Sequence, residues 1–111
     1  MEVERSKQGA VLVVVPKGRL DSAEALQFED ELMDAIGAGE SRLLIDFSSL
    51  DYISSAGLSV LLMAAKRLKP DGGRIALCAM NDHVAQVFEV SRFNVLFDIY
   101  PGRDDALPTF A

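Results

Sequence analysis

An α/β fold is what the chain predicts: a mixed, mostly parallel sheet of four to five strands, with four to five helices forming the crossovers. Three observations carry that prediction. Continuous apolar runs rich in β-branched residues recur along the 111 residues, as expected of strands covered on both faces. Segments with helical spacing lie between those runs, and glycine, proline and short polar residues mark each change of period. Alternation of this kind needs crossover connections, which make neighbouring strands parallel. No internal repeat, linker or low-complexity tract interrupts the pattern, so residues 1–111 read as one domain with a core spanning about residues 10–100.

The elements follow in order. Glu2 to Lys7 alternates weakly and is expected to pair as an edge strand with "AVLVVVPKGRL" (10–20), leaving Gly9 in the turn. Pro16 and Gly18 are expected to break that second strand. In "LDSAEALQFEDELMDAIGAGE" (20–40), Ala25, Phe28, Leu32 and Ile36 fall on one helix face. Asp21 or Ser22 can cap its start with Glu24 as the far half of a box-like pair, and Gly37 and Gly39 end it. "RLLIDFSSL" (42–50) is a buried strand closing at Asp46. After a double-serine turn, Leu58, Leu61, Leu62, Ala65 and Leu68 recur at helical spacing, with Lys66, Arg67 and Lys69 in the last turn before "PDGG". "RIALCAM" (74–80) is a third buried strand. "NDHVAQVFEVS" (81–91) is a capped helix with Val84, Val87 and Phe88 inward. "LFDIY" (96–100) is a short strand, and "GRDDAL" opens a helical stub.

Composition narrows the functional classes. Half the residues are apolar and a quarter charged, with a formal net charge of -6. That sign argues against nucleic acid, which needs clustered cations to displace counterions, and against an anionic membrane surface. No apolar stretch approaches the roughly 20 residues of a membrane span, and "MEVERSKQG" lacks the hydrophobic segment of a signal peptide. The single cysteine, Cys78, allows no internal disulfide. A cytoplasmic setting is expected.

The chemistry concentrates in "LDYISSAGLSVLL" (50–62), where two serines stand at a strand-to-helix turn. As a hydrolase nucleophile, Ser55 would need a glycine two residues earlier, where Ile53 stands, and a base. The sole histidine, His83, follows Asn81 and Asp82 at a helix start and reads as a solvated or capping residue. One cysteine and one histidine cannot build a structural zinc site. No calcium loop, P-loop or dinucleotide fingerprint occurs, so no metal or cofactor is expected. Cys78, inside an apolar strand, reads as a small buried hydrophobe. Two readings of "ISSAGL" remain. In one, Ser54 or Ser55 caps the helix and Gly57 permits close packing. In the other, a serine at that helix start also accepts phosphate, which the free N–H groups and dipole of the helix tolerate.

The chain resembles the STAS domains of bacterial anti-sigma-factor antagonists. "LLIDFSSLDYISSAGLSVLL" is similar to their signature of a strand ending in Asp, a serine-rich turn, Gly-Leu and an apolar helix. "PKGRLDSAEA" resembles their earlier turn, and "NDHVAQVFEVSRFNVLFDIY" their closing helix and strand. The resemblance runs from about Val11 to Tyr100. It departs from some members in having Ser54 before the acceptor and Ala56 after it. It implies a STAS-like fold and a protein that is not an enzyme but binds an anti-sigma factor, a serine kinase of the histidine-kinase-like ATPase fold. That kinase would phosphorylate Ser55, with Ser54 as second candidate, and a metal-dependent serine phosphatase would reverse the step. Asp21, Asp46, Ser54, Ser55, Gly57 and Leu58 would form the partner surface. A scaffold or small-ligand-binding STAS domain without the phosphorylation switch is the alternative.

Overall fold

The computed structural model describes residues 1–111. Strands β1 (Glu2–Gln8) and β2 (Val11–Leu20) form an antiparallel hairpin that turns at Gly9, where φ is +62°. They are followed by α1 (Ser22–Gly37), β3 (Arg42–Asp46), β4 (Leu50–Ile53) and α2 (Ser55–Leu68). Then come β5 (Arg74–Cys78), α3 (Asp82–Val90), β6 (Asp98–Tyr100) and the short α4 (Arg103–Ala106). Single 3-10 turns cover Lys69–Asp71, Phe93–Val95 and Leu107–Phe110. The sheet order is β1-β2-β3-β5-β6, with β4 also paired to β2. Every pairing except β1 with β2 is parallel.

The expected mixed, mostly parallel sheet and its four helices are present, but the strands number six rather than four or five. The addition is β4, in the stretch before the double-serine turn that the sequence pattern assigned to no element of its own. A second difference lies in β2, which runs through Pro16 and Gly18 instead of breaking there. Pro16 falls between the pairing with β3, which ends at Val14, and the pairing with β4, which begins at Gly18. A missing N–H costs the ladder nothing on that side. Gly18, at φ +90°, takes the irregular step where the register shifts toward β4.

Alternate residues of the central strands face opposite layers. Leu12, Val14, Leu43, Ile45, Ile75 and Leu77 join a 22-residue cluster beneath α1, α2 and α3. Val11, Val13, Val15, Leu44, Ala76 and Cys78 join a smaller cluster of eight, closed by Ala106 and Phe110 of the segment 103–111. Both faces are therefore dry, which is why the strand sequences are continuously apolar. On α1 the interior is met by Ala25, Phe28, Leu32 and Ala35, with Ile36 only half-buried. On α2, Val60 and Ala64 are buried while Leu62 and Ala65 are half-buried, because α1 packs along its flank. Glu24 does not close a capping box; its carboxylate meets the amino group of Met1 at 2.6 Å. No helix is long and apolar enough to cross a membrane.

Candidate functional site

The double-serine turn is held by the end of β2. The Ser54 amide and hydroxyl both donate to the Leu20 carbonyl, at 2.9 and 3.1 Å. The same hydroxyl accepts from the Gly57 amide at 3.2 Å, making Ser54 the N-cap of α2. Its oxygen is thus committed in both directions. Ser55 is the first helical residue, exposed, with its hydroxyl outside this network; its carbonyl accepts from the Ser59 hydroxyl at 3.0 Å. Gly57 is required by contact: a Cβ there would stand 2.9 Å from both Ile53 Cγ1 and Leu20 Cγ. Leu58 turns inward and is buried.

The two acidic residues expected near the turn part company. Asp21 is the N-cap of α1, accepts from the Glu24 amide at 3.0 Å, and directly follows the Leu20 that anchors Ser54. It is half-buried beside the serines. Asp46 does not reach the exposed surface: it is the one buried polar residue of the chain. Its carboxylate accepts from the Ser48 amide at 2.8 Å and from Arg103 Nε at 2.5 Å. Burial alone pushes this carboxyl up, but the Ser48 amide and the Arg103 guanidinium outweigh it and hold the pKa below the usual carboxylate value. Asp46 thus fixes the turn leading into β4 and ties it to α4.

Ser55 stands at the rim of a groove of about 380 Å³ between α2 and α3. Ser55 and Leu58 line one wall; His83, Gln86, Val87, Val90 and Ser91 line the other. Val90 is 77% exposed, so the groove offers apolar surface to solvent. Val87, expected inward with Val84 and Phe88, is only half-buried and lines this wall, and Val90 three residues on continues a second apolar stripe that the sequence reading missed. Asn81 caps α3, accepting from the Val84 amide at 2.7 Å and donating to the Leu50 carbonyl at 3.1 Å. His83, exposed as expected, is not that cap. Its ring stacks on Tyr52 with centroids 6.1 Å apart, and Arg19 lies 4.4 Å over the same tyrosine. No hydrogen bond joins His83 to Ser55 as a base–nucleophile pair would require.

Two further features lie apart from the serines. Across α3, a wider cleft of about 500 Å³ is lined by Met80, Phe88, Phe97, Ile99 and Tyr100. Cys78 is buried as expected, and burial, with the nearby Asp46 charge, pushes its thiol up to about 12. Such a thiol is not a nucleophile near neutrality.

The family described as Mlab, STAS domain matches residues 3–98. BtrV, a protein of Bordetella bronchiseptica whose name proposes it as an anti-sigma factor antagonist, is 39% identical over 110 residues, covering 99% of this chain and 95% of that one. Among solved structures, a protein of Thermotoga maritima described as a proposed anti-sigma factor antagonist superposes with a TM-score of 0.91 at 21% identity, over 96% of this chain and 92% of the other. The anti-sigma factor antagonist SpoIIAA, solved in its unphosphorylated form, superposes with a TM-score of 0.84 at 20% identity, over 98% and 96%. SpoIIAA of Bacillus has also been solved in a phosphorylated form. At these identities the two structural likenesses speak for the fold.

Proposed function

The chain belongs to the STAS-domain family of anti-sigma factor antagonists, and we propose that it is a phosphorylation-controlled binding module, with Ser55 as acceptor. Unmodified, it binds an anti-sigma factor through the groove beside α2 and thereby releases a sigma factor for transcription. The partner is a cytoplasmic serine kinase of the histidine-kinase-like ATPase fold. A metal-dependent serine phosphatase resets the module. The antagonist name of its 39%-identical relative supports this reading. So does the SpoIIAA neighbour, known in both unphosphorylated and phosphorylated forms.

One observation carries the assignment to Ser55: its hydroxyl is exposed and uncommitted at the mouth of an apolar groove, whereas that of Ser54 already donates and accepts. In the transfer, a carboxylate base of the kinase site takes the proton of the Ser55 hydroxyl as its oxygen attacks the γ-phosphorus of ATP. The bond to the β–γ bridging oxygen breaks, and ADP leaves with the magnesium ion supplied by the kinase site. The product places about -1.5 to -2 charges beside apolar lining that a partner would otherwise cover. Desolvating that charge in a docked complex is unfavourable, so the partner leaves while the core is untouched.

Intact-mass measurement after incubation with the cognate kinase and ATP tests the acceptor. Wild type and Ser54→Ala gain one phosphoryl group, and Ser55→Ala gains none while still binding the kinase. Ser55→Glu weakens that binding by more than about tenfold. Phosphorylation persisting in Ser55→Ala would overturn the assignment. A second reading, a scaffold or small-ligand-binding domain without a switch, is favoured by the cleft beside β6. Partner capture indifferent to Ser55→Glu would select it.

A further inference from the structure

The groove beside Ser55 contains a single ionisable side chain among its seven lining residues, the imidazole of His83. Val87 and Val90 are its accessible apolar lining, with Leu58 buried behind them, and Gln86 and Ser91 are neutral. A dianion added to the Ser55 oxygen therefore faces apolar walls and one imidazole. The ring of His83 stacks on Tyr52, and Arg19 lies over the same tyrosine. The charged and titratable groups around it are few. Tyr52 faces it from β4, Arg19 of β2 lies 4.4 Å over that same ring, Asp82 precedes it on α3, and α2 contributes only Ser55 and Leu58.

We propose that His83 reads the modification: the phosphoryl group on Ser55 pairs with the His83 imidazolium and is drawn across the groove, covering the apolar lining that the unmodified protein offers its partner. This rests on Ser55 being the acceptor and adds the means by which the phosphate closes the surface. Without such a counter-charge, the phosphate would project into solvent and leave Val87 and Val90 accessible to a partner able to tolerate it. With it, charge and bulk bridge the groove mouth. Protonating the imidazole and fully ionising the phosphate favour one another, so each shifts the other's titration.

His83 is the only histidine of the chain, so its ring protons give one unambiguous NMR titration curve. Phosphoserine installed at position 55 during translation removes any dependence on the kinase. The His83 midpoint rises by about one pH unit relative to unmodified protein, and the second ionisation of the phosphate, followed by phosphorus NMR, falls in His83-containing protein relative to His83→Gln. A His83 curve unmoved in protein whose mass and phosphorus signal prove the phosphoserine would overturn the inference and leave the Ser55 assignment standing. Failure of the kinase to modify Ser55 would sink that assignment instead, with the NMR result still deciding whether His83 and the phosphate interact.

Discussion

Asp46 closes β3 and Ser55 opens α2, and both are polar residues at the boundary of an element. The fold treats them oppositely. Asp46 is buried, with its oxygens bonded to the Ser48 amide and to Arg103. Ser55 lies in solvent at a groove mouth with its hydroxyl outside the capping network. The comparison teaches that a polar side chain whose bonding capacity is already filled by its own protein is part of the architecture. One left unfilled on an exposed rim is available to another molecule. Ser54, adjacent to Ser55 and equally a serine, belongs with Asp46 on this criterion.

Substitutions can break that division or sharpen it. The largest effect is expected for Asp46→Ala, which strips the Ser48 amide and Arg103 of their acceptor. Arg103 is 37% exposed and can recover water, so the loss in urea unfolding should be about 1–2 kcal/mol rather than the full cost of a sealed ion pair. Phosphorylation of Ser55 should continue. The pairing also carries a pH signature. Because the folded Asp46 pKa is depressed, its stabilisation is present above the ordinary carboxylate value of about 3.9 and is lost as pH falls through the folded value. Asp46→Asn should therefore flatten the acid limb of stability below about pH 4.

Ser54→Ala removes the cap of α2 and one anchor to Leu20, and should cost about 1 kcal/mol by the same unfolding measurement. The smallest stability effect belongs to Ser55→Ala, within about 0.5 kcal/mol of wild type. It is nonetheless the change expected to abolish phosphoryl uptake. A Ser55→Ala protein destabilised as much as Asp46→Ala would erase the distinction between the two residues.

Local periodicity made much of this fold legible. The β-branched run at β2, the spacing of Ala25, Phe28 and Leu32, and the Gly72 stop after α2 each express a rule acting within a few residues. The strand β4 escaped because Leu50, Asp51, Tyr52 and Ile53 neither alternate nor run apolar; its pairing to Gly18–Leu20 makes it a strand. Pro16 looked like a break because its tolerance depends on which neighbours β2 has at that point. In the site, the helix start, a serine cap at Ser54 or Ser55 and the close approach at Gly57 were readable from "ISSAGL"; the choice of Ser54 needed the Leu20 carbonyl of a distant strand. The Arg103 partner of Asp46 stands 57 residues away in sequence. The α3 wall and the Arg19–Tyr52–His83 stack likewise exist only once β4 and α3 have been brought together.

The thin layer of the molecule, where Ala106 and Phe110 roof over Cys78, gives the protein a stopwatch of its own. An alkylating reagent can reach that sole sulfur only while the roof is lifted, so labelling speed counts how often residues 103–111 come away. The timer sits on the side of the sheet opposite the serines, and can be run with a partner already seated there.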